Sequence, residues 1–251
     1  METLFIGKNT IFLPETDSTN SYAIGLLRNV NPPEGTVVFT AYQKAGRGQR
    51  GSCWQSEPLS NLTASVILRP TFLPVKEHFL LYQLAALACL DTLSQLLHER
   101  QYDIKIKWPN DILVNGRKIC GTLIENGITT ETIKYSVIGI GMNLNQQNFE
   151  VPNATSFKLL TGENIAARYV LEILCRQLEK HYLALKQNRF ALVHGIYHSN
   201  LFGLDNARLF EYNKKVLALT VKGVSNYGLL HLEDEEGGRI EADVKEIRWI
   251  F

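Results

Sequence analysis

The chain is poor in the features that mark secreted, membrane-spanning or metal-clamped proteins. Among its 251 residues are only four cysteines, Cys53, Cys89, Cys120 and Cys175. None forms a CxxC pair, and their spacing fits neither a zinc site nor a disulfide framework. Reduced thiols are the expectation, and with them a cytoplasmic location. The N-terminal stretch METLFIGKNTIFLPETDSTN has no basic region followed by a long apolar core, so no secretory signal is expected. No stretch approaches the roughly 18–20 apolar residues of a bilayer span. The formal net charge is +1, so no global basic field points to nucleic acid or a membrane surface, and no acidic excess points to disorder. Internal repeats and low-complexity tracts are absent.

What the chain does have is concentrated between Lys107 and Glu125, KWPNDILVNGRKICGTLIE. Asn115-Gly116 sits between two apolar runs, a hairpin signal because a type I′ turn needs positive φ at both central positions. Counting back from the turn pairs Val114 with Arg117, Leu113 with Lys118 and Asp111 with Cys120. Asp111 and Lys118 then share a face as diagonal neighbours, roughly 7–8 Å apart at Cα. Pro109 cannot donate to a ladder, so pairing is expected after it. Gly121 leaves a gap where a ligand can approach the backbone. A carboxylate, a lysine and a gap suit a phosphorylated ligand. The plainer reading is a solvated surface pair.

Other stretches add to this one. Thr10–Leu13 reads as a strand. ETDSTN at 15–20 opens a helix to about Asn29, with Asp17 or Ser18 as N-cap and with free N–H groups beside Ser18, Thr19 and Asn20. Capping alone would explain those residues. Thr36–Tyr42 reads as a buried strand. The segment QKAGRGQRGSCWQSE follows, with Gly46, Gly48 and Gly51 between Arg47 and Arg50, then Trp54. It matches neither the P-loop nor the dinucleotide fingerprint. Its glycines can wrap a small ligand, its arginines can grip carboxylate or phosphate, and Trp54 can stack. A flexible surface loop or an RG-type nucleic-acid contact is the alternative.

Asn61–Leu68 reads as a strand and Val75–Arg100 as a long amphipathic helix, with His78 and His98 at the surface. Lys134–Asn145 carries Gly139 and Gly141, a strand against which something lies, and ends near Asn143. Thr161-Gly162-Glu163 is expected to open a helical region, continued by Ala166 to about Asn188 and Phe190–Ser199. From Ala207 the pattern turns to short strands at 208–212, 216–224, 229–232, 239–243 and 246–250. They read as a small all-β module that should dock on the larger part.

Five of these stretches, in this order, resemble the biotin–protein ligases: ETDSTN, GRGQRG with Trp54, KWPND, GRKICGTLIE and GIGMN at 139–143. The resemblance spans nearly the whole chain. It implies an α/β (α+β) fold with a mixed-sheet, class II synthetase-like catalytic domain at 1–205 and an SH3-like β-barrel domain at 206–251. It implies activation of biotin by Mg-ATP to biotinyl-5′-AMP, then transfer to a lysine of a biotin carboxyl carrier protein. Lys118 would be the catalytic cation. Ser18, Thr19, Asn20, Gln43 and Gly121 would hold biotin, with Gly46, Arg47, Gly48 and Gln49 closing over it. Arg47, Arg50, Trp54, Asn110, Asp111, Lys118 and Asn143 would serve the nucleotide, Asp111 being a candidate Mg2+ ligand.

There are two departures. Some members carry an N-terminal helix-turn-helix domain, whereas here the catalytic pattern begins at once, so no repressor role is expected. Gln49 stands where the best-known loop of the family, GRGRRG, has an arginine. The rivals are a lipoyl or octanoyl transferase or ligase, and a biotin sensor without catalysis. The oligomeric state is open.

Overall fold

The computed structural model describes residues 2–97 and 101–251. Its centre is a seven-stranded mixed sheet. The strands are β1 (Thr10–Leu13), β2 (Val37–Thr40), β3 (Asn61–Leu68), β4 (Ile104–Lys107), β5 (Asp111–Val114), β6 (Arg117–Ile128) and β7 (Ile133–Asn143). Their spatial order is β1-β2-β3-β7-β6-β5-β4, with β1 parallel to β2 and the other pairs antiparallel. Four of the strands stand close to where their β-rich runs placed them. β4 was not anticipated, although its Ile-Lys-Ile-Lys alternation is a half-buried strand pattern.

The two faces of the sheet are used differently. Leu62, Ala64, Val66 and Leu68 of β3 and Ile138 and Ile140 of β7 point into the main core. That core is closed by α2 (Phe79–Leu97), α4 (Ala167–Lys186) and α5 (Phe190–Ser199). Side chains of opposite parity, Ile67 and Val137, join Val38 and Ala23 in a small second cluster under α1 (Thr19–Asn29). α1 covers only part of this face. The rest, floored by Ser65, Gly139, Gly141 and Gly121, stays open, which places the cleft.

Two helical expectations need correction. The segment Val75–Leu97 does have the length and hydropathy of a membrane span, but of the 18-residue stretch within it that has a mean hydropathy of 1.4, 72% is buried inside the protein. It begins as a short 3₁₀ turn at Val75–Glu77, and α2 buries residues nearly all round because it lies between the sheet and α4 and α5. It is therefore a core helix and not the amphipathic one expected. His98, Glu99 and Arg100 lie outside the described residues. The second correction concerns Thr161-Gly162. These residues end a helix, α3 (Phe157–Thr161), where Gly162 takes φ +79° as a left-handed cap and its N–H bonds the Lys158 carbonyl.

The chain ends in a second sheet of five antiparallel strands. They are β8 (Ala207–Tyr212), β9 (Lys215–Val224), β10 (Leu230–Glu233), β11 (Arg239–Ala242) and β12 (Ile247–Trp249), in the order β11-β10-β9-β8-β12. It docks on the first part through packing of Phe79 against Gly228 and a hydrogen bond from the Trp108 indole to the Gly228 carbonyl (2.9 Å). Its edge strand β12 is thereby carried to the mouth of the cleft.

Candidate active site

The hairpin turns at Asn115 (φ 50°) and Gly116 (φ 76°), the pair of positive angles that its sequence demands. Val114 faces Arg117 and Leu113 faces Lys118, as counting requires. The next pairs differ: Ile112 faces Cys120 and Asp111 faces Gly121, not Cys120. An extra residue, Ile119, is accommodated as a bulge. The bulge has a chemical effect. In an unbroken strand Lys118 and Gly121, three residues apart, would point to opposite faces. With the bulge both face Asp111.

The resulting cluster is tight. Lys118 Nζ lies 2.7 Å from Asp111 Oδ1, and Lys107 Nζ 3.7 Å from Asp111 Oδ2. A Cβ on Gly121 would lie 3.2 Å from both Asp111 Oδ1 and Lys118 Nζ, so a side chain here would press on the pair that glycine leaves undisturbed. Burial holds the Lys107 amine below its ordinary 10.5, with Lys118 adding repulsion and Asp111 opposing both. The Lys118 main chain is gripped on its outer side, its N–H by the Asn153 carbonyl (2.7 Å) and its carbonyl by the Thr155 N–H (2.8 Å).

A neutral hydrogen-bonded network occupies the start of α1. Ser18 is the N-cap, yet its hydroxyl makes no capping bond. The Thr19 N–H and hydroxyl both donate to Gln43 Oε1 (2.8 and 3.0 Å). Ser65 Oγ lies 2.7 Å from Thr19 Oγ1 and 2.6 Å from Asn20 Oδ1. Ser18, Thr19, Asn20 and Gln43 are all buried. The two glycines of β7 receive side chains from far along the chain. Asn20 lies against Gly139 and the Trp54 indole against Gly141, each where a Cβ would collide.

The Gly-rich loop closes this end. Gly46 passes so close to the Trp54 carbonyl that a Cβ would not fit. Gln49–Gly51 forms a 3₁₀ turn, with Gly51 at φ +76°. Arg47 Nη2 donates to Glu125 Oε2 (2.7 Å), and Lys118 sits 5.7 Å from the Trp54 ring centroid. The Arg50 side chain lies outside the described residues.

These parts line one cavity of about 260 Å³, which contains Ser18, Thr19, Asn20, Gln43, Arg47, Gly48, Gln49, Trp54, Asn110, Asp111, Lys118 and Gly121. Gly46 borders a different cavity, behind the loop. A third, more apolar cavity of about 650 Å³ shares Trp54, Lys107, Asp111 and Lys118 with the first and adds Asn143, Phe149, Val151 and Phe251. The charged cluster thus stands where the two meet. Asn143 donates to the Thr155 carbonyl (3.0 Å), and its buried Oδ1 has no partner. Asn110 donates to the Thr122 carbonyl. No group of three or more metal-ligating side chains exists among the described residues. Asp111, already held between two ammonium groups, does not fit a divalent cation.

Sequence reasoning missed Lys107, Ser65, Arg248 and Trp249. The first lies within the quoted KWPND. Arg248 and Trp249, which line both cavities, carry no local signal because β12 brings them from the far end of the chain.

Known proteins resemble this chain in sequence and in overall fold. Residues 12–143 match the model of the biotin/lipoate A/B protein ligase family. The bifunctional ligase/repressor BirA of Bacillus spizizenii is 32% identical over 243 residues, which cover 94% of this chain and 73% of that protein. The biotin–[acetyl-CoA-carboxylase] ligase of Paracoccus denitrificans is 36% identical over 132 residues, 53% of each chain. The biotin protein ligase of Aquifex aeolicus, solved in complex with biotin and ATP, superposes with a TM-score of 0.77 at 25% identity, covering 97% of this chain and all of that one. With more than half its length matched by the family model, and 94% of it aligned with a relative at 32% identity, the chain belongs to the biotin/lipoate A/B protein ligase family.

Proposed function

We infer that this protein is a biotin–protein ligase that takes biotin and ATP to biotinyl-5′-AMP and transfers the biotinyl group to a lysine of a biotin carboxyl carrier protein. The observation that carries the assignment of roles is a cleft with a neutral hydrogen-bonding end, Lys118 at its centre and an apolar lobe beyond. In the first step a carboxylate oxygen attacks the α-phosphorus and pyrophosphate leaves. Two anions must meet, and a fixed cation between them lowers that barrier. Lys118, oriented by Asp111, fills this role. In the second step the carrier amine attacks the acyl carbon and AMP leaves.

Ser18, Thr19, Asn20 and Gln43 suit the uncharged polar ring of biotin, and Gly121 lets its chain cross the sheet. Asn143, with its unsatisfied oxygen, and Trp54, Asn110, Asp111, Arg47 and Arg50 serve the nucleotide, and Mg2+ enters only as the companion of its phosphates. Gly46, Gly48 and Gln49 let the loop close and keep water from the anhydride. A cytoplasmic location accords with four free thiols. Residues 1–205 form the catalytic unit in this reading, and 206–251 a small SH3-like unit.

The test is incubation with biotin, Mg-ATP and a carrier domain, read by mass, beside arms with lipoate and octanoate. Biotin-dependent mass gain with pyrophosphate release is expected. Gain only with lipoate or octanoate, or biotin binding without pyrophosphate release, overturns the assignment.

A further inference from the structure

Glu125 lies on the open face of β6, four residues beyond Gly121, and lines neither cavity of the cleft. Yet one of its oxygens holds two residues that do. Oε2 accepts from Asn20 Nδ2 at 2.8 Å and from Arg47 Nη2 at 2.7 Å. The Asn20 amide is oriented from both ends, with Oδ1 2.6 Å from Ser65 Oγ and Nδ2 also 3.2 Å from the Leu123 carbonyl. Its orientation therefore decides whether Oε2 has an N–H donor beside the guanidinium.

The Arg47 bond is equally singular. Among the described residues it is the one side-chain hydrogen bond that ties residues 46–53 to the rest of the chain. The others in that stretch are local: Ser52 to Gln49 and the main-chain bonds of Gly48 and Ser52 close within it, and the Gly46 carbonyl accepts from the N–H of Trp54, the next residue after it. The Arg47 and Glu125 side chains are 44% and 30% exposed, so the pair adds little to folding. What it sets is where the loop stands.

We propose that Glu125 is a positioning residue that couples the neutral end of the cleft to the Gly-rich loop. A ligand that hydrogen-bonds Asn20 adds a further restraint to an amide already aligned on Oε2, and that oxygen holds the guanidinium that moors the loop. Coupling of this kind is reciprocal: what steadies the loop also tightens binding at Asn20. The proposal rests on the reading that Asn20 meets the biotin ring.

The experiment uses the full chain and biotin alone, without nucleotide. Biotin affinity is measured by calorimetry, and amide exchange of residues 46–53 is followed with and without biotin, for wild type, Glu125→Gln, Arg47→Gln and the double variant. The expected result is that biotin protects the loop of wild type. Glu125→Gln loses about tenfold of that protection and of biotin affinity, and adds nothing in the Arg47→Gln background. Full protection in either single variant overturns the coupling, as does an additive double variant. If Glu125→Gln does not fold, the Arg47→Gln arm decides alone. Wild type that fails to bind biotin rejects the ligase reading itself, whereas binding with unchanged loop exchange in the variants rejects only the role of Glu125.

Discussion

Asp111 and Lys118 reach the cleft from strands whose main chains are paired on both sides. Asp111 lies between Lys107 and Gly121, and Lys118 between Leu113 and the segment at Ala154. Arg47 and Gln49 reach it from a loop tied to the body by one side-chain hydrogen bond. The contrast separates two tasks. A cation that must meet a developing charge gains from a position set before the ligand arrives, because no reorganisation is then needed during reaction. Groups that must let substrate in and then exclude water gain from a backbone that can move.

The comparison can be broken most severely at its rigid end. Lys118→Ala should lower biotin-dependent pyrophosphate exchange by at least about a hundredfold, a few kcal/mol of transition-state stabilisation. The thermal midpoint should stay near that of wild type, since the side chain is partly exposed. Near-normal exchange by the folded variant would remove Lys118 from the mechanism. Next in size is Gly141→Ala. Its new Cβ falls inside the Trp54 indole, which must leave. Adenylate formation should drop by about tenfold to a hundredfold, the effect of overpacking by about 1–3 kcal/mol felt at the site. An unchanged rate would mean that Trp54 does not serve the nucleotide.

A smaller effect sharpens the loop side. Gln49 can hydrogen-bond but brings no charge, so Gln49→Arg should slow release of pre-formed biotinyl-5′-AMP by up to about tenfold, or ~1.4 kcal/mol. Equal dissociation rates would show that other groups hold the intermediate. Smallest is Lys107→Met. Burial makes the Lys107 charge less favourable in the folded chain than in the unfolded one, with Lys118 adding to this and Asp111 opposing it. Removing it should raise stability by about 0.5–1 kcal/mol in urea melts. The depressed folded pKa means that the wild-type chain recovers stability as pH rises through that value toward the ordinary 10.5, so the gain should shrink in alkali. A loss of stability at pH 7 would show that the Asp111 contact outweighs burial.

The legibility of the sequence followed the range of the interactions. The Asn115-Gly116 turn was readable because its chemistry is local to two backbone angles. Gly139 and Gly141 were readable as gaps, but their occupants Asn20 and Trp54 lie about a hundred residues away in sequence and were not. α2 was misjudged because Leu and Ala recur on all its sides, and periodicity alone does not separate a core helix from an amphipathic one. Gly162 was misplaced because a glycine beside a threonine can stand at either end of a helix until its φ is known. The register of Asp111 was off by one residue because Ile112, Ile119 and Cys120 are all apolar and all buried, so the pattern carried no mark of which face each takes.

The bulge at Ile119 also bears on how this site can change over time. A strand is a signal of period two, and one extra residue inverts its phase for everything downstream. Lys118 is read in one phase and Gly121, Leu123 and Glu125 in the other, and the cleft exists because both project to one side. Substitutions along β6 alter amplitude and leave phase alone. The joining of the cation to the glycine floor is therefore encoded in the number of residues between them, a property that tolerates drift in side-chain identity but not a single-residue insertion or deletion.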